Sequence, residues 1–498
     1  MALLLPDRPR ALDQDEGTHT SRQTRQPEWQ LFVAVFAIAT VVFALSPVIT
    51  NYDSFATFPT AVSIVNRHTL SLDAYRHIRV LTHSYTVSHA HGRFVTSYPW
   101  AVGLFAIPAV IVIDLLHAFG GGPSADSIVA QPSQVQNLVQ LFSASIVTGL
   151  ACATLAILAS RRLQGPIEKR RNAALLCGLV FAFATSAWST ASRALWQHGP
   201  SLLFLAICLV ALDRLFPRFP EGRRAGAGGI RAPLVAGACI SGAVAMRPTN
   251  AVAWVLVTLL ILWKAPRRAW ASYAVGVGVV LVPWTLITIH YYGSLLQPYD
   301  QASKLGLPPS FLESVAAQLI SPSRGLFVFS PIVLVAIAGF AVAMRRRTLT
   351  PLEVLSAVAI PCVVVAIALF PVWWAGTSFG PRFMTETLPF FFVLAIAFVD
   401  WLRGWRAEAP AGRPVLYRVA LACSVVALTW SVLVNAQGGV LRSSTCWNLR
   451  SPSVASVDSD PSRVWSLHDP QFVFALRAIQ SEGVAGAVER CPAGTPLP

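Results

Sequence analysis

The sequence predicts an all-α fold, a polytopic membrane helical bundle of about 11 transmembrane helices with interfacial helices in the first extracytoplasmic loop. Hydrophobic residues make up 54% of the 498 residues and charged residues only 12%, about half the ~25% typical of soluble domains. Apolar runs recur along the chain, and most approach the roughly 20 residues with which a helix crosses a bilayer. Basic residues flank these runs, as they do in cytoplasmic loops of membrane proteins.

The polar segment 1–30 is predicted to be a cytoplasmic N-terminal tail. Positive charge before a first span favours the cytoplasmic side, and this segment carries Arg8, Arg10, Arg22 and Arg25. The apolar run that follows, 31–50, is too long for the core of a cleaved signal peptide. We expect it to remain as the first span, which places Asp53 outside.

The positions of the basic residues decide the predicted topology. Twelve apolar runs are visible: 31–50, 99–118, 136–160, 173–195, 199–216, 232–246, 250–264, 270–292, 331–344, 352–373, 386–402 and 417–436. If all of them crossed, the stretch "RRLQGPIEKRR" would lie outside, against the positive-inside rule. If 99–118 does not cross, the predicted cytoplasmic segments hold 24 of the 38 Lys and Arg residues. Eleven spans are therefore predicted, with the C-terminal tail outside.

The segment 99–118 has its own features of an interfacial helix. It contains Pro99 and Pro108 and the ionisable residues Asp114 and His117, which suit a helix that lies at, or dips into, the outer interface. The predicted domains are a cytoplasmic tail (1–30), a transmembrane domain (31–436) that includes the first outer loop (51–135), and an extracytoplasmic C-terminal tail (437–498).

Several classes of function are not expected. The chain contains no GxxxxGK[ST] motif and no strand-framed GxGxxG, so chemistry driven directly by ATP is not predicted. The net charge of +15 follows from the basic loops, and nucleic acid is not an expected partner. The His-rich stretch "THSYTVSHAH" fits the spacing of no standard zinc site, and no CxxC motif is present.

Cys446 and Cys491 lie in the polar tail, apart from the cysteines of the apolar runs. A disulfide between them is expected if the tail is extracytoplasmic, because disulfides persist in oxidising surroundings.

Asp53 stands where the first apolar run gives way to polar chain, in "SPVITNYDSFATFPTAV". Two interpretations are open. Asp is a good helix N-cap, and "DSFATFPTA" predicts the start of an amphipathic helix at the interface. The same carboxylate can also act chemically at the outer face.

Basic residues also stand at four predicted outer turns. These residues are His198, Arg247, Arg324 and Arg382, with Glu386 close to the last. A single Arg at the end of a span is commonly a snorkelling anchor. Several on one face also suit a site for an anionic lipid headgroup, because the planar guanidinium binds two phosphate oxygens.

This layout resembles the GT-C type polytopic membrane glycosyltransferases that use polyprenyl-phosphate sugar donors. Protein O-mannosyltransferases and the lipid A aminoarabinose transferase belong to that class. The shared features are a cytoplasmic N-terminus, an acid directly after the first span and a long first outer loop. The stretches "YPWAVGLFAIP", "SPSRGLFVFSP" and "WAGTSFGPRF" look like motifs of the same class. The resemblance covers most of 30–436 and leaves out the tail.

The resemblance implies transfer of a sugar from a polyprenyl-phosphate-linked donor to a hydroxyl of a glycan, lipid or protein acceptor. The enzyme would lie in the bacterial inner (plasma) membrane with its active site on the extracytoplasmic face. Asp53 would be the general base of an inverting displacement. The donor phosphate would be bound, in falling order of expectation, by Arg382, His198, Arg247 and Arg324.

One departure from the class concerns metal binding. Several members carry two adjacent acids after the first span, whereas this chain has Tyr52, Asp53 and Ser54 in a row. This argues against a divalent metal held by paired carboxylates. Asp73 and Glu386 are left as candidates for a second acid, and no metal ligand is assigned.

The main alternative is a transporter or flippase of a lipid-linked or small substrate. Such a protein would need ionisable residues within its spans and a repeat between its two halves. Neither is visible in the sequence, and the charge gathers at the outer edge instead. A glycan polymerase or ligase of another polytopic class and a purely structural scaffold are further alternatives.

Overall fold

The computed structural model describes residues 28–50, 52–131, 134–219, 229–300, 306–307, 310–408, 414–449, 455–489 and 491. Within these residues the chain is almost entirely helical, with one short antiparallel hairpin. The predicted class, an all-α polytopic membrane bundle, is confirmed.

Helices and strands are numbered in chain order. They are α1 (Glu28–Leu45), α2 (Thr57–Arg67), α3 (Arg79–Thr82), β1 (Val87–Ala90), β2 (Arg93–Thr96), α4 (Ile107–Ala118), α5 (Ala125–Ala130), α6 (Gln134–Arg162), α7 (Ile167–Phe183), α8 (His198–Leu215), α9 (Arg231–Met246), α10 (Ala251–Lys264), α11 (Arg267–Tyr292), α12 (Phe311–Ile320), α13 (Leu326–Phe329), α14 (Leu334–Arg345), α15 (Pro351–Ala368), α16 (Leu388–Glu408), α17 (Pro414–Val440), α18 (Ser443–Cys446) and α19 (Gln471–Glu489). Short 3₁₀ turns precede α4 (Trp100–Ala106) and α16 (Arg382–Thr387).

Eight helical segments of the described chain are long and apolar enough to cross a membrane. They are Glu28–Leu45, Trp100–Ala118, Gln134–Arg162, His198–Leu215, Arg267–Tyr292, Pro351–Ala368, Arg382–Gly404 and Val415–Val440. Seven of them coincide with predicted spans. The other four predicted spans fall on the shorter helices α7, α9, α10 and α14. Trp100–Ala118 is the segment predicted to lie at the interface, and that placement stays a prediction.

The bundle contains a close contact between the backbones of α9 and α11. A Cβ atom added at Gly237 would lie 2.3 Å from the carbonyl oxygen of Tyr273, and one added at Gly276 would lie 2.1 Å from that of Leu234. Small residues allow such approach between membrane helices. The contact fixes α9, which ends one residue before Arg247.

The segment between α1 and α6 has a hydrophobic core of its own. Phe58, Leu72 and Val95 are fully buried there. The indole Nε1 of Trp100 donates to Oγ1 of Thr288 on α11 at 3.0 Å, which ties this core to the bundle. The loop is therefore an ordered layer over one end of the helices, which we call the Asp53 end.

Arg193 fixes the chain directly after α1. Its guanidinium is fully buried and donates to the carbonyl oxygens of Phe43 (2.6 Å) and Ser46 (2.9 Å). Phe43 is in the last turn of α1, where carbonyls lack a partner within the helix, and Ser46 directly follows the helix. Arg193 thereby sets the direction in which the chain leaves α1 and approaches Asp53.

The opposite end of the bundle is joined by buried ion pairs. Arg162 at the end of α6 contacts Asp213 on α8 at 2.9 Å and Glu353 on α15 at 2.8 Å, and all three side chains are at most 1% exposed. Removing one member of such a set leaves an unpaired buried charge. These ion pairs thus hold α6, α8 and α15 together at the end of the bundle away from Asp53.

The C-terminal tail packs over the Asp53 end. The indole of Trp447 is fully buried, and its Nε1 donates to the carbonyl oxygen of Asp469 at 2.8 Å. A disulfide joins Cys446 at the end of α18 to Cys491. The tail is therefore part of the folded body rather than a loose extension.

Candidate active site

Asp53 does not cap a helix in this structure. The residue before α2 is Ala56, with no side-chain cap, and the backbone N–H of Thr57 donates to the carbonyl oxygen of Ser54. The carboxylate of Asp53 turns away from α2, accepts from the hydroxyl of Tyr85 at 2.9 Å and pairs with Arg382. The capping interpretation of the sequence is therefore wrong for this residue.

The carboxylate of Asp53 is ionised at neutral pH. Burial raises the pKa of Asp53, but the charge of Arg382 and hydrogen bonds from Arg382, Tyr85 and Tyr98 together lower it below its ordinary value. The side chain of Asp53 is 15% exposed and that of Arg382 is 4% exposed. The pair thus lies at the boundary between the protein interior and an open space.

Three tyrosines surround this pair. The ring of Tyr98 stacks on that of Tyr299 with centroids 4.3 Å apart and meets Tyr85 edge to face. Burial and the negative charge of Asp53 raise the pKa of Tyr85 and of Tyr98. Both hydroxyls therefore stay protonated, and that of Tyr85 donates to the carboxylate.

His198 holds the other side of the Arg382 guanidinium. The Nε group of Arg382 donates to Nε2 of His198 at 3.0 Å. Because a guanidinium only donates, Nε2 is the acceptor and the ring proton lies on Nδ1. Nδ1 is 2.7 Å from Oε1 of Glu386 and donates to it. His198 is therefore neutral, and both of its ring nitrogens are used within the protein.

Arg247 completes the chain of contacts. It pairs with Oε2 of Glu386, and its Nη1 lies 3.1 Å from Nδ1 of His198. Glu386 and Arg247 are 2% and 5% exposed. Two guanidinium groups thus face two carboxylates across a neutral imidazole, so the buried set carries no net charge.

Separate elements bring these five residues together. Asp53 follows α1, His198 begins α8, and Arg247 follows α9. Arg382 and Glu386 lie on the 3₁₀ turn before α16. All five were predicted as site residues, and the structure gathers them at one end of the bundle.

A cavity of about 530 Å³ opens beside the Asp53–Arg382 pair. This is within the ~300–1,000 Å³ typical of small-molecule sites. One part of its lining is formed by the pair and by the tyrosines. Further lining comes from residues 370, 372 and 374–377 and from Leu449 and Asp458 of the tail. The cavity therefore combines aromatic faces, two carboxylates and one guanidinium.

Arg324 lies outside this group. Its guanidinium donates to five acceptors within 3.1 Å: the carbonyl oxygens of Ser323, Trp374 and Gly376 and the side-chain oxygens of Asn448 and Gln471. Burial lowers the pKa of Arg324 to about 9, so it remains a cation at neutral pH. Its five N–H groups are all engaged by protein atoms, in the wall behind the cavity.

Asp73 also lies away from the cavity. Its carboxylate accepts from Ser71 at 2.6 Å, from Arg76 at 3.2 Å and from the backbone N–H of Phe94 at 3.1 Å. These bonds fix the loop at β2. Within the described part of the chain, no group of three or more His, Cys, Asp and Glu residues is arranged to hold a metal ion.

Sequence reasoning did not single out the aromatic partners of the site. Tyr85, Tyr98 and Tyr299 come from two separate loops, and Trp196 places its ring 4.1 Å from Cζ of Arg382. Tyr98 stands in the stretch "YPWAVGLFAIP", and Trp196 stands two residues before the predicted site residue His198. These positions, in a stretch that resembles a motif of the class for Tyr98 and close to a predicted site residue for Trp196, were the signals in the sequence by which the two could have been found.

Comparisons with known proteins give only distant similarity. No protein-family model and no curated protein sequence matches the chain. The crystal structure of the Archaeoglobus fulgidus oligosaccharyltransferase in its apo form is similar over 90% of this chain, with 13% identity and a TM-score of 0.46. The structure of that enzyme tethered to an acceptor peptide containing the NVT sequon is similar over 83%, with 14% identity and a TM-score of 0.45.

The match spans 61% and 55% of the length of the two oligosaccharyltransferase chains. At these values no residue role is transferred from either structure. What the site can do follows from its own geometry.

Proposed function

We propose that the protein transfers a sugar from a polyprenyl-phosphate-linked donor to an acceptor hydroxyl on the extracytoplasmic face, with inversion. The observation that carries the proposal is the pairing of an ionised carboxylate, Asp53, with a buried guanidinium, Arg382, at the wall of an aromatic cavity. Sugar transfer from a phosphate needs a base for the acceptor proton and a cation for the departing phosphate.

The reaction is a single displacement. The acceptor oxygen forms a bond to the anomeric carbon, and the bond from that carbon to the phosphate oxygen breaks. The electron pair leaves with polyprenyl phosphate, whose charge is stabilised by Arg382. The acceptor proton passes to Asp53. Because one bond forms on the face opposite the one that breaks, the anomeric configuration inverts.

Asp53 must lose its cation before it can accept a proton efficiently. The donor phosphate is the competing anion, since it needs the same guanidinium. When Arg382 turns to the phosphate, its lowering effect on the pKa of Asp53 is lost, and burial then raises that pKa. Donor binding would thereby convert a paired carboxylate into a stronger base. The donor is expected to bind before the acceptor reacts.

His198 and Trp196 hold the guanidinium during this exchange. His198 accepts from Nε of Arg382, whereas Asp53 contacts Nη2. The two contacts use different nitrogens, so release of Asp53 leaves the His198 bond intact. His198, Glu386 and Arg247 are therefore proposed as positioning residues, in place of the direct phosphate contacts expected from the sequence for His198 and Arg247.

The test is transfer from a panel of radiolabelled polyprenyl-phosphate sugars in membranes containing wild type, Asp53→Asn or Asp460→Asn. Asp460 is an acid of the tail that bonds Ser462 outside the cavity, so it serves as the matched control. Transfer by wild type and the control alone supports the proposal. Equal transfer by Asp53→Asn removes Asp53 as the base. No transfer by folded wild type with any donor of the panel refutes the function.

A further inference from the structure

The part of the cavity lining that comes from residues 374–377 and from the tail differs in chemistry from the part around Asp53. It includes Trp374, Gly376 and Thr377 together with Leu449 and Asp458 of the tail. Its one ionisable group is a carboxylate, whereas the cation of the cavity, Arg382, belongs to the part around Asp53. We call the part from residues 374–377 and the tail the tail wall.

Trp374 and Asp458 form a fixed pair in the tail wall. The indole Nε1 donates to Oδ1 of Asp458 at 2.8 Å. The bond holds the aromatic ring and the carboxylate side by side. A carboxylate accepts from hydroxyl groups, and an aromatic face packs against the C–H face of a sugar ring. The pair therefore offers both kinds of contact that a neutral sugar uses.

The backbone directly after Trp374 is strained at Ala375. Ala375 has a φ of +66° and Gly376 a φ of +56°. A residue with a Cβ atom rarely adopts this left-handed conformation. Strain of this kind persists where surrounding contacts impose it, and such places are frequently ligand sites.

Arg324 imposes this conformation. It donates to the carbonyl oxygen of Trp374 at 2.7 Å and to that of Gly376 at 3.1 Å, one on each side of Ala375. The same guanidinium donates to Asn448 at 2.5 Å and to Gln471 at 2.8 Å in the tail. The strained segment and the tail are therefore built as one unit around a buried cation.

Engagement of these carbonyls argues against a peptide as the molecule bound here. A peptide that binds by strand addition needs unpaired backbone groups along its site. In the tail wall the carbonyls of Trp374 and Gly376 are occupied by Arg324. Among the described residues that line this wall there is no cation, and the guanidinium of Arg324 behind it is fully engaged by protein acceptors, which also disfavours an anionic ligand.

We propose that the tail wall is the acceptor subsite and that it takes a neutral glycan, with hydroxyl groups on Asp458 and a ring face on Trp374. This inference rests on the proposed function, because it assigns a role to the lining residues that the donor phosphate on Arg382 does not use. It makes the acceptor a sugar and makes the tail the part that selects it.

The test measures binding of tritium-labelled neutral trisaccharides of gluco, galacto, manno and arabino configuration to the purified protein in nanodiscs, by equilibrium dialysis. A neutral octapeptide containing Ser and Thr is the competing probe. The variants are Asp458→Asn and Trp374→Phe, which keeps a ring but removes the N–H that bonds Asp458. Asp460→Asn is again the control.

We expect wild type and Asp460→Asn to bind at least one trisaccharide. Asp458→Asn should weaken that binding at least 10-fold, and Trp374→Phe should weaken it less. In transfer, Asp458→Asn should raise KM for the acceptor and leave KM for the donor unchanged, a split that a general loss of structure would not produce.

Binding of no trisaccharide by wild type, unchanged binding in Asp458→Asn, or transfer to the peptide in place of a glycan would each overturn the subsite. Failure of the proposed function gives a different result. In that case the trisaccharide would bind with the expected dependence on Asp458, yet no polyprenyl-phosphate sugar of the panel would be cleaved.

Discussion

If the phosphate and Asp53 compete for Arg382, replacing Asp53 should weaken transfer and yet strengthen binding of the phosphate. Asp53→Asn keeps the shape of the side chain and removes its charge, which leaves the buried guanidinium without its anion. Breaking a fully buried ion pair on one side costs about 3–5 kcal/mol. Asp53 faces the cavity and is 15% exposed, so water beside the substituted side chain partly replaces the lost charge, and we expect a cost below that range, about 1.4–2.8 kcal/mol.

A bound phosphate returns an anion to Arg382 and recovers this energy. Since 1.4 kcal/mol corresponds to a factor of ten, Asp53→Asn should bind polyprenyl phosphate about 10- to 100-fold more tightly than wild type. Transfer should fall by about 10²–10⁴-fold, because the base is lost. The catalytically weaker variant is thus expected to be the better binder of the product lipid.

The assay is equilibrium binding of radiolabelled polyprenyl phosphate to wild type and Asp53→Asn in nanodiscs, with Asp460→Asn as the control. Cooperative thermal unfolding of each of the three proteins, with a lower midpoint allowed for Asp53→Asn, establishes that each is folded. Unchanged or weaker binding by Asp53→Asn would refute competition between the carboxylate and the phosphate. Arg382 would then have to be replaced as the phosphate ligand in the proposal.

Three further outcomes are expected. Arg382→Lys should weaken binding of polyprenyl phosphate about 10-fold in the same assay, because an ammonium cannot contact His198 and a phosphate with the geometry of a guanidinium; binding equal to wild type would contradict this. The ionised form of Asp53 is favoured by folding, so its contribution to stability is complete above the ordinary pKa of about 3.9 and is lost as the pH falls through the lowered folded pKa. Unfolding measured between pH 6 and pH 3 should show a loss of stability in wild type that is smaller in Asp53→Asn, and parallel curves would argue against it. Cys446→Ser opens a loop closed over 45 residues and should destabilise the tail by about 2–4 kcal/mol, seen as faster limited proteolysis of the tail that the reductant-treated wild type reproduces; a tail equally resistant in all samples would contradict this.

The charged residues that lie at the ends of helices could be predicted from the sequence. His198, Arg247 and Arg382 stand at boundaries between apolar and polar chain, and that position is a local property of the sequence. Since the ends of helices lie at the two faces of a bundle, residues at such boundaries on one face are expected to lie near one another. The grouping of Asp53 and Glu386 with them follows from the same rule.

The partner of each charge was not predictable in the same way. Arg324 has the same local setting as Arg382, yet it holds the carbonyls of Trp374 and Gly376, whereas Arg382 faces the cavity. The difference arises from how the tail folds back, which depends on contacts more than 100 residues apart, such as that from Arg324 to Asn448.

The presence of the helices in the bundle could be predicted more securely than the number of them that cross the membrane. Apolar length and basic loops distinguish α6 from a soluble helix without any tertiary information. The segment Trp100–Ala118 shows the limit of that reasoning. It is apolar enough to cross, but a 3₁₀ turn forms its first part and packs on α2, where a Cβ at Gly103 would lie 3.4 Å from the carbonyl oxygen of Thr57.

The pairing of Asp53 with Arg382 has a consequence for biosynthesis. The two residues are 329 positions apart, so at about 5–20 residues per second the ribosome makes the cation roughly 15–65 s after the acid. Throughout that interval Asp53 lacks the counter-charge of Arg382, and the tail wall that closes the cavity is made later still. A partly synthesised chain is thus expected to have no functioning site, and the onset of activity would mark the moment when the last helices have been inserted and packed.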